Sequence, residues 1–157
     1  MSKEYKNPAL TTDIILFSDY KDGEDLKVLF IKRKYEPFKN KWAFPGGFVE
    51  YNEELEEAAK RELEEETSIK DVCLKQLGAF GRVGRDPRGR TVSVVYYASV
   101  NSSELFIKAQ DDAKDAQWFS VNKLPELAFD HAEIIAFALE TLKSEIKKSF
   151  DNIQENL

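Results

Sequence analysis

The sequence predicts an α/β fold in which helices pack on the faces of a mixed sheet. Three observations lead there. Apolar runs rich in β-branched and aromatic residues recur between polar punctuation. Two amphipathic helical patterns stand far apart, one near residues 53–67 and one from about 130 onward. Strands mixed with well-separated helices form layered domains of this class. A length of 157 residues suits a single domain, 1–157.

The elements follow in order. "TTDIILFSDY" and "LKVLFIKRKY" read as strands joined by the turn "KDGED". In "KWAFPGGFVEY", Pro45-Gly46-Gly47 must break regular structure. Residues 53–67 form a helix rich in Glu, Leu, Ala and Lys, with Asn52 placed as its cap. "VCLKQLGAFGRV" and "TVSVVYYASV" are strands flanking the loop "GRDPRGR", and the second, apolar on both faces, reads as central. "DAQWFSVNKLPEL" is a short strand and a turn. The last helix opens at "DHAE", where Asp130 and Glu133 have capping-box spacing, and its seam runs Ile135, Ala138, Leu139, Leu142, Ile146.

Composition narrows the function. Apolar residues make up 42% and charged residues 33%, which excludes a disordered chain. A net charge of -6 argues against a nucleic-acid partner. The single cysteine, Cys73, rules out an internal disulfide framework, fits a reducing compartment, and inside an apolar strand reads as buried. No apolar run has the length of a membrane span and "MSKEYKNPAL" has no signal-peptide core, so a cytoplasmic protein without a membrane partner is expected, as a monomer or a small oligomer such as a homodimer.

The helix at 53–67 carries an anomaly. At about 100° per residue, Leu55, Ala58, Ala59 and Ile69 make an apolar seam, and Glu62, Glu65 and Glu66 fall on the same arc. Glu54, Glu56, Glu57, Lys60, Arg61 and Glu64 lie on the opposite, solvent-facing side. Like charges three and four residues apart repel, and carboxylates in the last turns oppose the helix macrodipole. Partial burial raises the repulsion to roughly 3 kcal/mol per pair. A bound divalent cation reverses all three costs, and clustered carboxylates suit the hard ion Mg²⁺, which also binds substrate phosphates.

These residues resemble the signature of the Nudix hydrolases. Gly47, Glu53, Arg61, Glu62, Leu63, Glu65, Glu66 and Ile69 match it in register, and Ser68 stands where the signature has its second glycine. That glycine ends the helix left-handed, a conformation serine adopts only with strain. The resemblance spans about residues 10–145. "KWAFPGGFVE", "RDPRGRTVSVVYYA" and "AQWFSVNKLPELAFDHAEII" look like the ADP-ribose pyrophosphatase branch, and equally like the Nudix domains of ADP-ribose-sensing regulators.

The resemblance implies a Nudix-type α/β/α sandwich with the acidic helix beside the substrate cleft. It implies catalytic roles for Glu53, Arg61, Glu62, Glu65 and Glu66. Glu62, Glu65 and Glu66 would ligate Mg²⁺, or alternatively Mn²⁺, with a backbone carbonyl at Gly46 or Gly47. Arg61 and Glu53 would buttress those ligands. The base is a helix glutamate or an acid of "AQDDAKD" (Asp111, Asp112, Asp115). The expected substrate is a small nucleoside diphosphate derivative.

"GRVGRDPRGRT" places Arg82, Arg85, Arg88 and Arg90 within nine residues, offset only by Asp86. It reads either as a solvated hairpin loop or as a clamp on substrate phosphate or ribose, because guanidinium forks match phosphate oxygens. His131 reads as a surface or capping residue, and the resemblance of "AFDHAE" adds a place near substrate. Trp42, Phe44, Trp118 and Phe129 read as core or cleft wall.

Three functions fit. They are Mg²⁺-dependent hydrolysis of ADP-ribose to AMP and ribose 5-phosphate, the same chemistry on an oxidised nucleotide, dinucleoside polyphosphate or NADH, and ADP-ribose sensing without cleavage. The three intact carboxylates favour catalysis, as does the end of the sequence just after the last helix, since a regulator needs a DNA-binding domain.

Overall fold

The computed structural model describes residues 4–18, 25–101 and 113–155; most of the turn expected at 21–25, with Asp111 and Asp112, lies outside the described residues. The elements are β1 (Ala9–Ser18), β2 (Lys27–Arg33), β3 (Trp42–Ala43), β4 (Gly46–Phe48), α1 (Leu55–Thr67), β5 (Lys75–Phe80), β6 (Thr91–Val100), β7 (Ala113–Ser120) and α2 (His131–Glu155). The seven strands form one sheet ordered β3-β2-β1-β6-β5, with β4 added to β1 and β7 to β2. β1 and β6 run parallel along their whole length, from Ala9↔Thr91 to Ser18↔Val100, and the other pairings are antiparallel. The sheet is therefore mixed, and β6 lies between β1 and β5 as its two apolar faces predict.

Strand alternation sorts the core into two layers. Ile14 and Leu16 of β1, with Val94 and Tyr96 of β6, point to one face and meet Ala59 and Leu63 of α1. Ile15 and Phe17, with Val95 and Tyr97, point to the other and meet Ile134, Ile135 and Ala138 of α2. The result is an α/β/α sandwich. Leu63 is fully buried, a change worth about 1.5–3 kcal/mol relative to exposure, and truncating it to alanine would cost about 2–5 kcal/mol.

The sheet splits along one seam. β1 pairs with β2 at Phe17↔Val28, but further back Thr11–Asp13 pair with β4 while Ile31 and Lys32 pair with β3. The two strands thus take different partners as they diverge, which opens a fork in the sheet.

Several local expectations need correction. The expected break falls at Phe44 and Pro45, between β3 and β4, whereas Gly46 and Gly47 belong to β4. Helix α1 starts at Leu55 with Glu54 at its N-cap position and no side-chain cap, so Asn52 does not cap it. The Asp130 carboxylate is taken by Arg85 and that of Glu133 by Arg82, so the two do not form a capping box, although α2 does begin there. The α2 seam fades before Ile146, which is half exposed. Cys73 lies before β5 and is exposed.

Candidate active site

The fork opens into a cleft of about 470 Å³ whose floor is Asp13, Phe44 and His131. Its walls carry both signs of charge. Glu62 and Glu66 line it against Gly47 and Gly46, and Arg33 and Arg88 line it against Phe129, with Arg85 also in the lining.

The acidic wall depends on how closely β4 approaches β1 and α1. A Cβ on Gly46 would lie 2.2 Å from the Thr12 carbonyl oxygen, and one on Gly47 would lie 2.5 Å from the Glu62 carboxylate. Only bare backbone fits at either position. The Gly46 N–H then donates to Glu66 Oε2 at 2.9 Å. Arg61 reaches across as a hub: Nε and one terminal nitrogen donate to Glu53 at 2.6 and 2.9 Å, the other donates to Glu62 at 2.7 Å and Glu65 at 3.2 Å, and the Phe48 carbonyl accepts at 3.1 Å. The Arg61 guanidinium, with the Glu50 N–H, pulls the Glu53 carboxyl down to about 2. Burial pushes Glu62 the other way, above the ordinary carboxylate range, despite Arg61.

The three helix glutamates are not equivalent. The buried stripe of α1 is Ala58, Ala59, Leu63, Glu66 and Thr67, centred roughly 60° round from Glu62. Glu66 is therefore buried, Glu62 half-buried and Glu65 exposed. Among the described residues no three acidic or histidine side chains close around one point. The donor set nonetheless fits a hard divalent cation. Glu62 and Glu66 present carboxylate oxygens to one cleft, Gly47 leaves backbone bare against one of them, and three carboxylates share a single guanidinium. Ser68 ends the helix at φ 65 and ψ 8, the left-handed conformation expected of it, with its N–H donating to the Glu64 carbonyl at 2.8 Å.

The four loop arginines part company. Arg82 is exposed against Glu133, and Arg90 donates to the Gly81 carbonyl at 2.6 Å; neither lines the cleft. Arg85 does line it, but its side chain is only 4% exposed and grips Asp130 through two bonds of 2.9 and 2.7 Å. Arg88 is more open. Buried Asp86 holds it from one edge, and its guanidinium lies 5.0 Å from the Phe48 ring centroid and 5.4 Å from that of Phe129. Burial opposes the charge on Asp86, yet the hydrogen bonds from Arg88 keep its carboxyl below the ordinary range. The loop is thus neither a solvated hairpin nor a uniform clamp.

His131 is buried, not a surface residue. The Phe44 N–H donates to Nδ1 at 3.1 Å, which leaves the ring proton on Nε2, 3.6 Å from Asp13 Oδ1. Burial lowers its pKa, so the ring is neutral, and it stacks on Phe44 at 4.7 Å. Both nitrogens are thus turned to the protein. Asp115, on β7, is exposed and does not line the cleft.

The sequence reading missed Arg33 and Asp13, and gave Asp86 only as the charge that offsets the loop arginines. Arg33 sits in the basic run "KRK" that ends β2, a signal visible before "FPGG". Asp13, a lone acid inside an apolar strand, was the other available signal.

Residues 8–138 match the NUDIX domain. The chain is 47% identical over 131 residues to an ADP-ribose pyrophosphatase of Methanocaldococcus jannaschii, covering 83% of this chain and 73% of that protein. It is 34% identical to the ADPR responsive transcriptional repressor NtrR of Acinetobacter baylyi, covering 92% of this chain but only 58% of the repressor. The NUDIX domain of Shewanella oneidensis NrtR in complex with ADP ribose superposes with a TM-score of 0.80 at 35% identity, over 88% of this chain and 90% of that one. A bifunctional NMN adenylyltransferase/ADP ribose pyrophosphatase of Francisella tularensis, complexed with AMP and a Mn ion, superposes at 0.73 and 33%, over 88% of this chain and 43% of that one.

Proposed function

The chain belongs to the NUDIX family and is a Nudix pyrophosphohydrolase; on that premise we propose that it hydrolyses ADP-ribose to AMP and ribose 5-phosphate with Mg²⁺. The observation that carries the reading is one cleft lined both by the carboxylates Glu62 and Glu66 and by the guanidiniums Arg33 and Arg88. A diphosphate repels an anionic nucleophile, so its hydrolysis depends on positioning and charge neutralisation from both sides. Glu62, Glu65 and Glu66, with a backbone carbonyl at Gly46 or Gly47, would hold the cation, and Mn²⁺ suits the same oxygen donors. When bound, such a cation neutralises phosphate oxygens and lowers the pKa of an attacking water.

The chain's own residues do the rest. Arg61 donates to Glu53, Glu62 and Glu65 together and so sets the spacing of carboxylates that would otherwise spread apart. Glu66, anchored on the Gly46 N–H, keeps one oxygen fixed toward β4. Arg88, oriented by Asp86, offers its fork to a phosphate. Neutral His131 fixes the Phe44 backbone at the cleft floor and supplies no charge there.

A second reading, binding ADP-ribose without cleavage, draws support from the likeness to NtrR and to the ADP-ribose complex of the NrtR domain. A panel of ADP-ribose, NADH, an oxidised nucleoside triphosphate and a dinucleoside polyphosphate, assayed for product with Mg²⁺, separates them. The expected result is fastest release of AMP and ribose 5-phosphate from ADP-ribose, abolished by chelation and restored by Mg²⁺. Tight ADP-ribose binding without turnover would establish sensing instead, and faster turnover of another compound would move the substrate.

A further inference from the structure

The basic wall holds one guanidinium that the arginine loop does not supply. Arg33 closes β2, and its Nε donates to the Pro37 carbonyl at 2.7 Å. That bond pins the head group 4.8 Å from the Phe129 ring centroid, the same ring that Arg88 covers at 5.4 Å. Two cations therefore share one aromatic face-former at the cleft. Their surroundings differ. Arg88 has Asp86 and Arg85 has Asp130, both through paired bonds. Among the described residues no carboxylate comes within ion-pair distance of Arg33, and Glu66, Asp86 and Asp13 act on it only from further away.

This arrangement is costly as it stands. A half-buried cation loses hydration, and a second cation beside it adds repulsion. Both effects act on Arg33, where burial first and Arg88 second depress the guanidinium pKa. One aromatic ring repays only part of that. A guanidinium carries five N–H donors, and the Pro37 carbonyl uses one. An anion entering the cleft would meet the remaining donors and reverse the repulsion.

We infer that Arg33 is a substrate-binding residue, forming with Arg88 across Phe129 a two-guanidinium seat for a phosphoryl group of the diphosphate. Its place in hydrolysis rests on the pyrophosphohydrolase reading of the cleft, whereas the anion seat itself rests on charge and geometry alone. Phe129, at φ 50 just ahead of α2, is the positioning residue that spaces the two forks.

The test measures binding of inorganic pyrophosphate by calorimetry in the presence of chelator, so that the acidic wall takes no part. Arg33→Gln should weaken binding roughly 10- to 150-fold, the loss of one charge-assisted contact. Arg33→Lys, which keeps the charge without the planar fork, should recover part of that loss and also covers the case in which Arg33→Gln fails to fold. Lys60→Gln, on the solvent face of α1, is the control for net charge and should bind as wild type. With the preferred substrate, Arg33→Gln should raise KM far more than it lowers kcat. Wild-type pyrophosphate affinity in Arg33→Gln or Arg33→Lys, or an equal loss in Lys60→Gln, would overturn the seat. The two readings fail separately. Loss of pyrophosphate binding in a protein that ignores ADP-ribose keeps the seat and discards the substrate. An unchanged KM for ADP-ribose in Arg33→Gln keeps the substrate and discards the seat.

Discussion

On the acidic wall, Glu53, Glu62 and Glu65 share the single guanidinium of Arg61 while Glu66 takes a backbone N–H. In the loop 81–90 three arginines each have a carboxylate of their own: Arg82 has Glu133, Arg85 has Asp130 and Arg88 has Asp86. Each region concentrates one sign of charge, but only the loop cancels most of its own. Clustered charge that the protein neutralises internally is architecture, and clustered charge left in excess at a cleft is a place for a ligand. By that measure, with its side chain 4% exposed against 40% for Arg88, Arg85 belongs to the scaffold that ties the loop to the start of α2, Arg88 keeps an open edge for a ligand, and the excess of carboxylate at α1 is the place the proposed cation would take.

The sharpest way to break this contrast is Arg85→Ala. Removing one partner of a buried pair strands Asp130, which should cost about 3–5 kcal/mol of stability. Chemical denaturation measures it. A loss below about 1 kcal/mol, the range of exposed pairs, would return Arg85 to the substrate side of the ledger.

On the acidic wall the expected loss is in rate instead. Glu66→Gln keeps an oxygen that can accept the Gly46 N–H but removes a charge. Turnover should fall by about two orders of magnitude or more with the unfolding midpoint unchanged or raised. Near wild-type turnover at saturating Mg²⁺ would remove Glu66 from the cation site. Glu57→Gln, in the exposed first turn of α1, should leave turnover unchanged.

Ser68 tests whether the end of α1 carries strain that matters to the wall. A left-handed non-glycine residue costs roughly 1–2 kcal/mol, and the extra freedom of an unfolded glycine returns part of it. Ser68→Gly should therefore stabilise the protein by about 0.5–1 kcal/mol with kcat unchanged. A drop in stability would mean that the serine side chain contributes more at this turn than its backbone costs.

The smallest effect concerns pH. Glu53 is held down from 4.5 to about 2 in the folded protein, so its link to Arg61 is fully present above about pH 4.5 and is lost as pH falls toward 2. Glu53→Gln should flatten the acid limb of the stability curve in that window and lower stability by a constant amount above it. An unaltered acid limb would show that Glu53 does not contribute to it.

The sequence by itself determined the layers and the carboxylate register. Alternating residues such as Ile14 and Ile15 assign themselves to opposite faces of the sheet because the strand repeat is two, and the spacing of Glu62, Glu65 and Glu66 follows from the helix repeat. The left-handed end at Ser68 was legible for the same reason, since backbone preference is local. What only the tertiary structure decided is the company each charge keeps. Arg85 and Asp130 are 45 residues apart, and Arg33 and Arg88 meet over a ring contributed by neither of their strands or loops. Burial belongs to the same class: His131 and Cys73 exchanged their expected surroundings because exposure depends on what the rest of the chain packs against them. Local repeats are written in the order of the residues, whereas Coulomb partners and desolvation depend on distance through space, which the chain acquires only when the sheet closes and forks.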